Sequence, residues 1–301
     1  MKILVIGSKG FIGDYVYKYF LNKSEYKCWG CDVGVDYIDP YYFLIDNSSD
    51  DFNRPFQNIV FDVCINCSGA ASVPDSFLHP LRDFALNTYN VVKVLEAIRR
   101  YSPSCKFINL SSAAIYGNPV SLPVTEDMFL NPISPYGCHK LFAENLCEEY
   151  YKFYNIQTCS IRIFSAYGNG LKKQFFWDLA QKLKQQNKII LFGSGHESRD
   201  FIHIEDIVAA IDLIIHKGDF NAASYNIANG EEILINVVAE KLQLLIGGQK
   251  VITFTGNQRK GDPLNWKADI SKLKSLGYQQ KVSIDEGLNK YVAWLREEKL
   301  V

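Results

Sequence analysis

The chain has 301 residues, 48% of them hydrophobic, and carries 32 Lys and Arg against 33 Asp and Glu for a net charge of −1. That length can bury one large core or two and exceeds a single small module, while the near-zero charge offers no basic field to a nucleic acid. No apolar run reaches the roughly 18 residues a membrane span needs, and a strand starting at residue 2 leaves no room for a targeting peptide, so a cytoplasmic location without membrane partners is expected.

The first element is the apolar, β-branched run Lys2–Ile6, suited to a buried parallel strand, and a helix is expected over Phe11–Leu21. Gly7, Gly10 and Gly13 lie at the turn between them. Glycines there allow a tight bend and let the backbone approach a pyrophosphate that faces the helix N-terminus. Gly7, Lys9, Gly10, Phe11, Ile12 and Gly13 are therefore the expected cofactor-binding turn, although the spacing G-x-x-G-x-x-G differs from the commoner G-x-G-x-x-G. A second strand, Lys27–Cys31, leads into Asp32, nineteen residues after Gly13. A carboxylate at that place accepts hydrogen bonds from an adenosine ribose and repels a 2′-phosphate, which favours NAD over NADP.

Further strands are expected at Tyr42–Ile45, Ile59–Ile65, Lys106–Leu110, Thr158–Ile163, Ile189–Phe192 and Ser224–Ile227. Helices are expected near Pro80–Arg100, Tyr136–Tyr154, Lys173–Gln185, Ile204–His216, Val237–Ile246 and Ile284–Glu298. This alternation predicts an α/β protein with a doubly wound parallel sheet of the Rossmann kind, helices on both faces and ligands at the carboxyl ends of the strands. The small residues of Asn66-Cys67-Ser68-Gly69-Ala70-Ala71 end one strand and would let a cofactor lie against the backbone. Past Ser165 the pattern loosens into glycine turns, which suggests a smaller interleaved C-terminal domain: residues 1–165 with 201–228 for the nucleotide, and 166–200 with 229–301 for the substrate. Among eight cysteines, Cys28/Cys31 and Cys64/Cys67 are C-x-x-C pairs, but residues three apart on a strand point to opposite faces. No metal is expected; free buried thiols are.

Tyr136 and Lys140 fall one turn apart on an expected helix, with Cβ atoms roughly 5–6 Å apart on one face. A nearby ammonium lowers a phenol's pKa from about 10, so the tyrosine can serve as a general acid or base. In Asn109-Leu110-Ser111-Ser112, serine hydroxyls stand where the fifth sheet strand should end, placed to hold a substrate oxygen.

The ordered set Gly7-x-x-Gly10-x-x-Gly13, Asp32, Ser111-Ser112-x-x-x-Tyr116-Gly117, Tyr136-x-x-x-Lys140, Arg199-Asp200-Phe201-Ile202-His203 and Arg259-x-Gly261-Asp262-Pro263 resembles an extended short-chain dehydrogenase/reductase. The likeness is to the NAD-dependent nucleotide-sugar epimerase/dehydratase family, UDP-glucose 4-epimerase-like, over nearly the whole chain. The resemblance implies Ser112 as the catalytic hydroxyl, Tyr136 as acid/base and Lys140 as the residue that binds the nicotinamide ribose and tunes the tyrosine. It also implies Ser68 and Asn87 at the cofactor, Asp46 beside the adenine, Arg199 and Arg259 at the sugar diphosphate, and Ser72 and Ser165 at the substrate. His203 is expected to pack beneath the sheet.

Two departures narrow the reading. Ala113-Ala114 occupy the place of the Asp-Glu pair that sugar dehydratases of the family carry, so dehydration is not expected. Ser165 stands where many relatives have an asparagine. The expected reaction is epimerisation of a nucleotide-linked sugar through reversible oxidation of a ring hydroxyl, at C4. The alternative is an NAD(P)H-dependent reductase of a nucleotide-linked 4-keto-6-deoxy sugar, and a non-catalytic nucleotide sensor is opposed by the intact Ser112, Tyr136 and Lys140. Family likeness further implies a homodimer through the helices near residues 80–100 and 136–155.

Overall fold

Seven strands form one sheet in a computed structural model that describes residues 1–45, 51–248 and 250–301. They are β1 (Lys2–Ile6), β2 (Lys27–Asp32), β3 (Tyr42–Leu44), β4 (Val63–Asn66), β5 (Lys106–Ser112), β6 (Thr158–Ile163) and β7 (Asn221–Ile227), in the spatial order β7-β6-β5-β4-β1-β2-β3. All six pairings are parallel. The order reverses between β1 and β4, and the crevice beyond their carboxyl ends is where a doubly wound sheet takes a ligand.

Alternate residues of the central strands feed two cores. Ile3, Val5, Val63, Ile65, Ile108 and Leu110 pack with Val16 and Phe20 of the helix Phe11–Leu21 and with Ile207, Ile211 and Ile214 of the helix Ile204–Lys217. Leu4, Ile6, Cys64 and Phe107 pack on the opposite face against Val94 and Ile98 of Asn90–Tyr101 and Ala143 and Cys147 of Pro135–Tyr154. Burial on both faces explains why these strands read as continuous apolar runs. A third core gathers Phe176, Leu179, Ile189, Leu191, Val238, Leu242, Leu288 and Tyr291 from the C-terminal part of the chain. Trp266, Ala268, Ile270, Leu273 and Tyr278 return to the first core.

Two expected elements differ. The strand expected at Ile59–Ile65 begins only at Val63, because Asn53–Asn58 is a helix and Ile59 is its C-cap. The helix expected over Pro80–Arg100 is α-helical at Pro80–Phe84 and Asn90–Tyr101 but makes a π turn at Ala85–Tyr89. All eight cysteines are free thiols, six of them buried as small apolar side chains. Among the described residues, no helix is long and apolar enough to cross a membrane.

A buried ionic network ties β6, β7 and the turn after β5 to the helix Pro135–Tyr154. Arg162 donates from Nε (3.1 Å) and Nη2 (2.8 Å) to the Glu144 carboxylate and from Nη1 to the Tyr116 hydroxyl (2.8 Å) and the Glu126 carbonyl (2.7 Å). Tyr116 in turn donates to Asn226 Oδ1 at 2.7 Å. Arg162→Met leaves the Glu144 charge buried and unpaired, so denaturant unfolding is expected to show a loss of about 3–5 kcal/mol. A loss below about 1 kcal/mol, the scale of an exposed pair, contradicts this.

Candidate active site

The glycine turn works by close approach. Gly7 sits at φ +79°, and a Cβ there would lie 2.6 Å from the Ser68 amide nitrogen; a Cβ on Gly13 would lie 2.0 Å from the Gly7 carbonyl oxygen. Side chains at either place would separate β1 from β4 or from the helix Phe11–Leu21. At Gly10 only the Gly7 carbonyl comes within 4 Å, which leaves open space over a helix start that no side chain caps. Uncapped amides at the positive end of a helix dipole suit a pyrophosphate.

Asp32 closes this end. Its carboxylate accepts from the backbone amides of Lys9 (2.8 Å), Val33 (2.7 Å) and Gly34 (3.3 Å). Lys9 pairs with Asp36 through its ammonium, which also lies 5.0 Å from the Tyr42 ring centre, so the structure gives it a bracing contact between the glycine turn and the loop after β2. Ser68 donates from Oγ to Asn66 Oδ1 at 2.6 Å. Asn87 stands on the π turn, a distortion often found at functional positions, and its Oδ1 accepts from the Ala70 amide at 3.2 Å. Buried Asn87 Nδ2 and Ser8 Oγ have no partner among the described residues, which fits a polar ligand passing over this surface. Asp46 lies outside the described residues.

The helix Pro135–Tyr154 carries the proton-moving pair. Ser134 caps it by accepting from the Gly137 amide at 3.1 Å, Pro135 pre-sets its first turn, and Asn155 ends it in the left-handed region at φ +56°. Tyr136, Gly137, Lys140, Ala143, Glu144 and Cys147 form its buried face. A Cβ on Gly137 would lie 2.6 Å from the Ala114 carbonyl, so glycine lets the helix start press against the turn that follows Ser112. Lys140 is 6% exposed and donates to the Leu110 carbonyl at 2.8 Å, while its Nζ lies 5.9 Å from the Tyr136 ring centre.

The electrostatics differ from the sequence-based expectation. Burial pushes the Tyr136 phenol up to about 12, with the Ser112 hydroxyl as the opposing hydrogen bond. Burial brings Lys140 down to about 8. The ammonium binds a carbonyl of β5 rather than the phenol, and desolvation is the largest influence on both groups.

A cavity of about 700 Å³ joins these parts. Gly10, Phe11, Ile12 and Ser68 line it beside Ser112, Tyr136 and Lys140, and Ser72, Ser165, Arg199 and Arg259 complete it from the other lobe and the loops. Ser72 caps the helix Val73–Leu78 by accepting from the Asp75 amide, and Ser165 opens a short strand, Ser165–Tyr167, paired with Phe201–His203. Arg259 lies 3.4 Å from the Asp262 carboxylate. His203 is 1% exposed and does not reach the cavity.

Three cavity or support residues escaped sequence reasoning. Asp200, 0% exposed, accepts from the amides of Asn229 (2.9 Å), Gly230 (3.0 Å) and Ala268 (3.0 Å), and burial raises its pKa to about 7. Gln174 reaches the Ala71 carbonyl across the cavity at 3.4 Å from a backbone at φ +66°. Trp266 lies under Arg199. The Arg199-Asp200 dipeptide was a visible signal for the first; the other two carry none.

Comparison with known proteins agrees with this geometry. Residues 3–228 match the model of the NAD dependent epimerase/dehydratase family. An uncharacterized UDP-glucose epimerase of Bacillus subtilis (strain 168) is 29% identical to the chain over 315 residues, covering 98% of each protein. The UDP-glucuronic acid 4-epimerase of Bacillus cereus, solved in complex with UDP-glucuronic acid and NAD, superposes with a TM-score of 0.90 at 27% identity, covering 99% of this chain and 100% of that one. A Thermotoga maritima UDP-glucose 4-epimerase solved with UDP-glucose superposes at a TM-score of 0.87, with 27% identity and the same coverage. A doubly wound sheet, a glycine-turn crevice and a family match across three quarters of its length lead to one assignment: this chain belongs to the NAD-dependent epimerase/dehydratase family.

Proposed function

We propose that the protein is an NAD-dependent 4-epimerase of a UDP-linked sugar. The observation that carries this reading is the single cavity in which Ser112, Tyr136 and Lys140 meet an open glycine turn on one side and Arg199 and Arg259 on the other. We read the third core and the segments around it as the sugar-nucleotide lobe.

NAD fits the crevice: the Gly10 opening and the uncapped helix start take the pyrophosphate, and Asp32 takes a ribose. When bound, it supplies reversible acceptance of the hydride from the sugar carbon. Tyr136 takes or returns the proton of the sugar hydroxyl, and Ser112 holds that oxygen through its own hydroxyl. Lys140, an ammonium beside the phenol, favours the phenolate once positive charge and ligand enter the cavity. Arg199 and Arg259 hold the diphosphate, for which guanidinium groups are well shaped. The apolar wall of Phe164, Phe175, Phe176 and Phe201 excludes water from the exposed keto sugar. Ala113 and Ala114 offer neither acid nor base for a dehydration.

We also propose a homodimer. The helices Pro80–Phe84 and Pro135–Tyr154 leave Leu81, Phe84, Phe142 and Phe153 exposed at 81%, 38%, 45% and 66%, an apolar face that a second copy would cover.

Incubation with UDP-glucose and UDP-glucuronic acid, followed by NMR, is expected to show the C4 epimer of one of them with no net change in NADH absorbance. Stoichiometric NADH or NADPH consumption instead identifies a reductase. Tyr136→Phe is expected to lower kcat by about 10²–10⁴-fold with the fold unchanged; turnover near wild type sinks the acid/base role. Lys140→Met removes the cation that favours the phenolate, so the acidic limb of the pH–rate profile moves to higher pH. Stability gives an independent sign. The ammonium pKa is lower folded than unfolded, so its penalty is present below about 8 and relieved as pH rises toward the unfolded value near about 10.4. Lys140→Met is therefore expected to be the more stable protein at pH 7, by about 1 kcal/mol, with the gap narrowing by pH 10. Light scattering is expected to give a mass of two chains, and Leu81→Arg to shift it toward one.

A further inference from the structure

We propose that Trp266 is a positioning residue that holds the Arg199 guanidinium ready for the substrate's diphosphate; this deepens the reading above and rests on it. Arg199 ends a two-residue strand, Ser198–Arg199, paired antiparallel with Ile233–Leu234. Its Nη1 donates to the Ser198 carbonyl (2.7 Å) and the Leu264 carbonyl (3.2 Å). Among the described residues nothing bonds its Nε or Nη2, and the side chain lines the cavity. What remains to orient it is an aromatic face: the guanidinium carbon lies 5.5 Å from the centre of the Trp266 ring. Burial lowers the Arg199 pKa, the mark of a desolvated cation, and in such surroundings a cation over an indole face is held most strongly.

The indole is itself fixed. It is 7% exposed, and its Nε1 donates to the Gly117 carbonyl at 3.1 Å. Its ring meets Phe164 edge to face at 5.7 Å and 69°. Its backbone amide donates to the Ser198 carbonyl at 3.3 Å, and two residues on, the Ala268 amide is held by Asp200. Gly117 lies five residues after Ser112 at the end of β5, so one side chain links the catalytic strand end to the phosphate anchor in the other lobe. The indole offers both a face for the cation and an N–H for the carbonyl. Without it the long arginine side chain enters binding with its rotamers free, a cost taken from affinity.

The test is calorimetric titration of UDP into the full-length wild type, Trp266→Leu, Trp266→Phe, Arg199→Met and the Trp266→Leu/Arg199→Met double variant, each checked for a native circular dichroism spectrum and melt. Trp266→Leu is expected to weaken UDP about tenfold, and Trp266→Phe, which keeps a ring face, by less. The double variant should bind no more weakly than Arg199→Met alone, within about twofold, because the tryptophan acts through the arginine. In turnover assays Trp266→Leu should raise KM with kcat nearly unchanged. Losses that add in the double variant, or no loss in Trp266→Leu, overturn the proposal while leaving the diphosphate anchor standing. UDP affinity unchanged in Arg199→Met overturns the anchor itself, and the role of Trp266 with it.

Discussion

An ammonium removed from water must find a partner or lose its charge, and among the described residues Lys140 bonds the Leu110 carbonyl, 2.8 Å away near the end of β5. That contact draws the helix Pro135–Tyr154 onto the sheet at the point where Ser112 emerges. It can form because Gly137, between the tyrosine and the lysine, has no Cβ to strike the Ala114 carbonyl. Tyr136 is thereby delivered beside Ser112 inside the cavity. Glu144, one turn further along the same face, pairs with Arg162 of β6 and reinforces the helix against the sheet. Arg162 is paired with Glu144, whereas Lys140 makes no salt bridge among the described residues and feels Asp83 and Glu144 only as more distant charges.

The ligand-free electrostatics have a functional meaning. A phenol pushed up to about 12 and an amine brought down to about 8 are both biased toward neutrality by burial. A phenol raised that far is protonated at neutral pH. A positive charge beside the pair favours the phenolate and opposes the ammonium, so the two groups respond to it in opposite directions. The arginine end of the cavity follows a related logic. Arg199 and Arg259 share the neighbourhood of Asp262, and the fixed indole of Trp266 keeps one guanidinium oriented without neutralising it.

Directed polar contacts accompany the apolar packing of Trp266, Ala268, Ile270, Leu273 and Tyr278 in the first core. Asp200 accepts amides from Asn229, Gly230 and Ala268, and Trp266 reaches Gly117, so the Arg199-Asp200 dipeptide serves two ends at once: one side chain faces the cavity, the next staples the loops that frame it. Gln174 adds a strained link across the opening to Ala71. Strain of that kind persists where surrounding structure over-determines the backbone.

Much of this was legible in the residues. Local pattern determined the alternation of strands and helices, the glycine turn, the acid after β2, and the Tyr136/Lys140 spacing, because each depends on neighbours within a turn or a strand. The short helix Asn53–Asn58 and the π turn carrying Asn87 were not legible, since their apolar residues also suit a strand or an unbroken helix and packing made the choice. Tertiary structure alone decided that Lys140 binds a β5 carbonyl instead of the phenol, that burial raises Tyr136, and that Trp266 lies beneath Arg199. Each of these depends on groups that are distant in sequence or on exclusion of water, and desolvation is a property of the assembled fold that no spacing along the chain encodes.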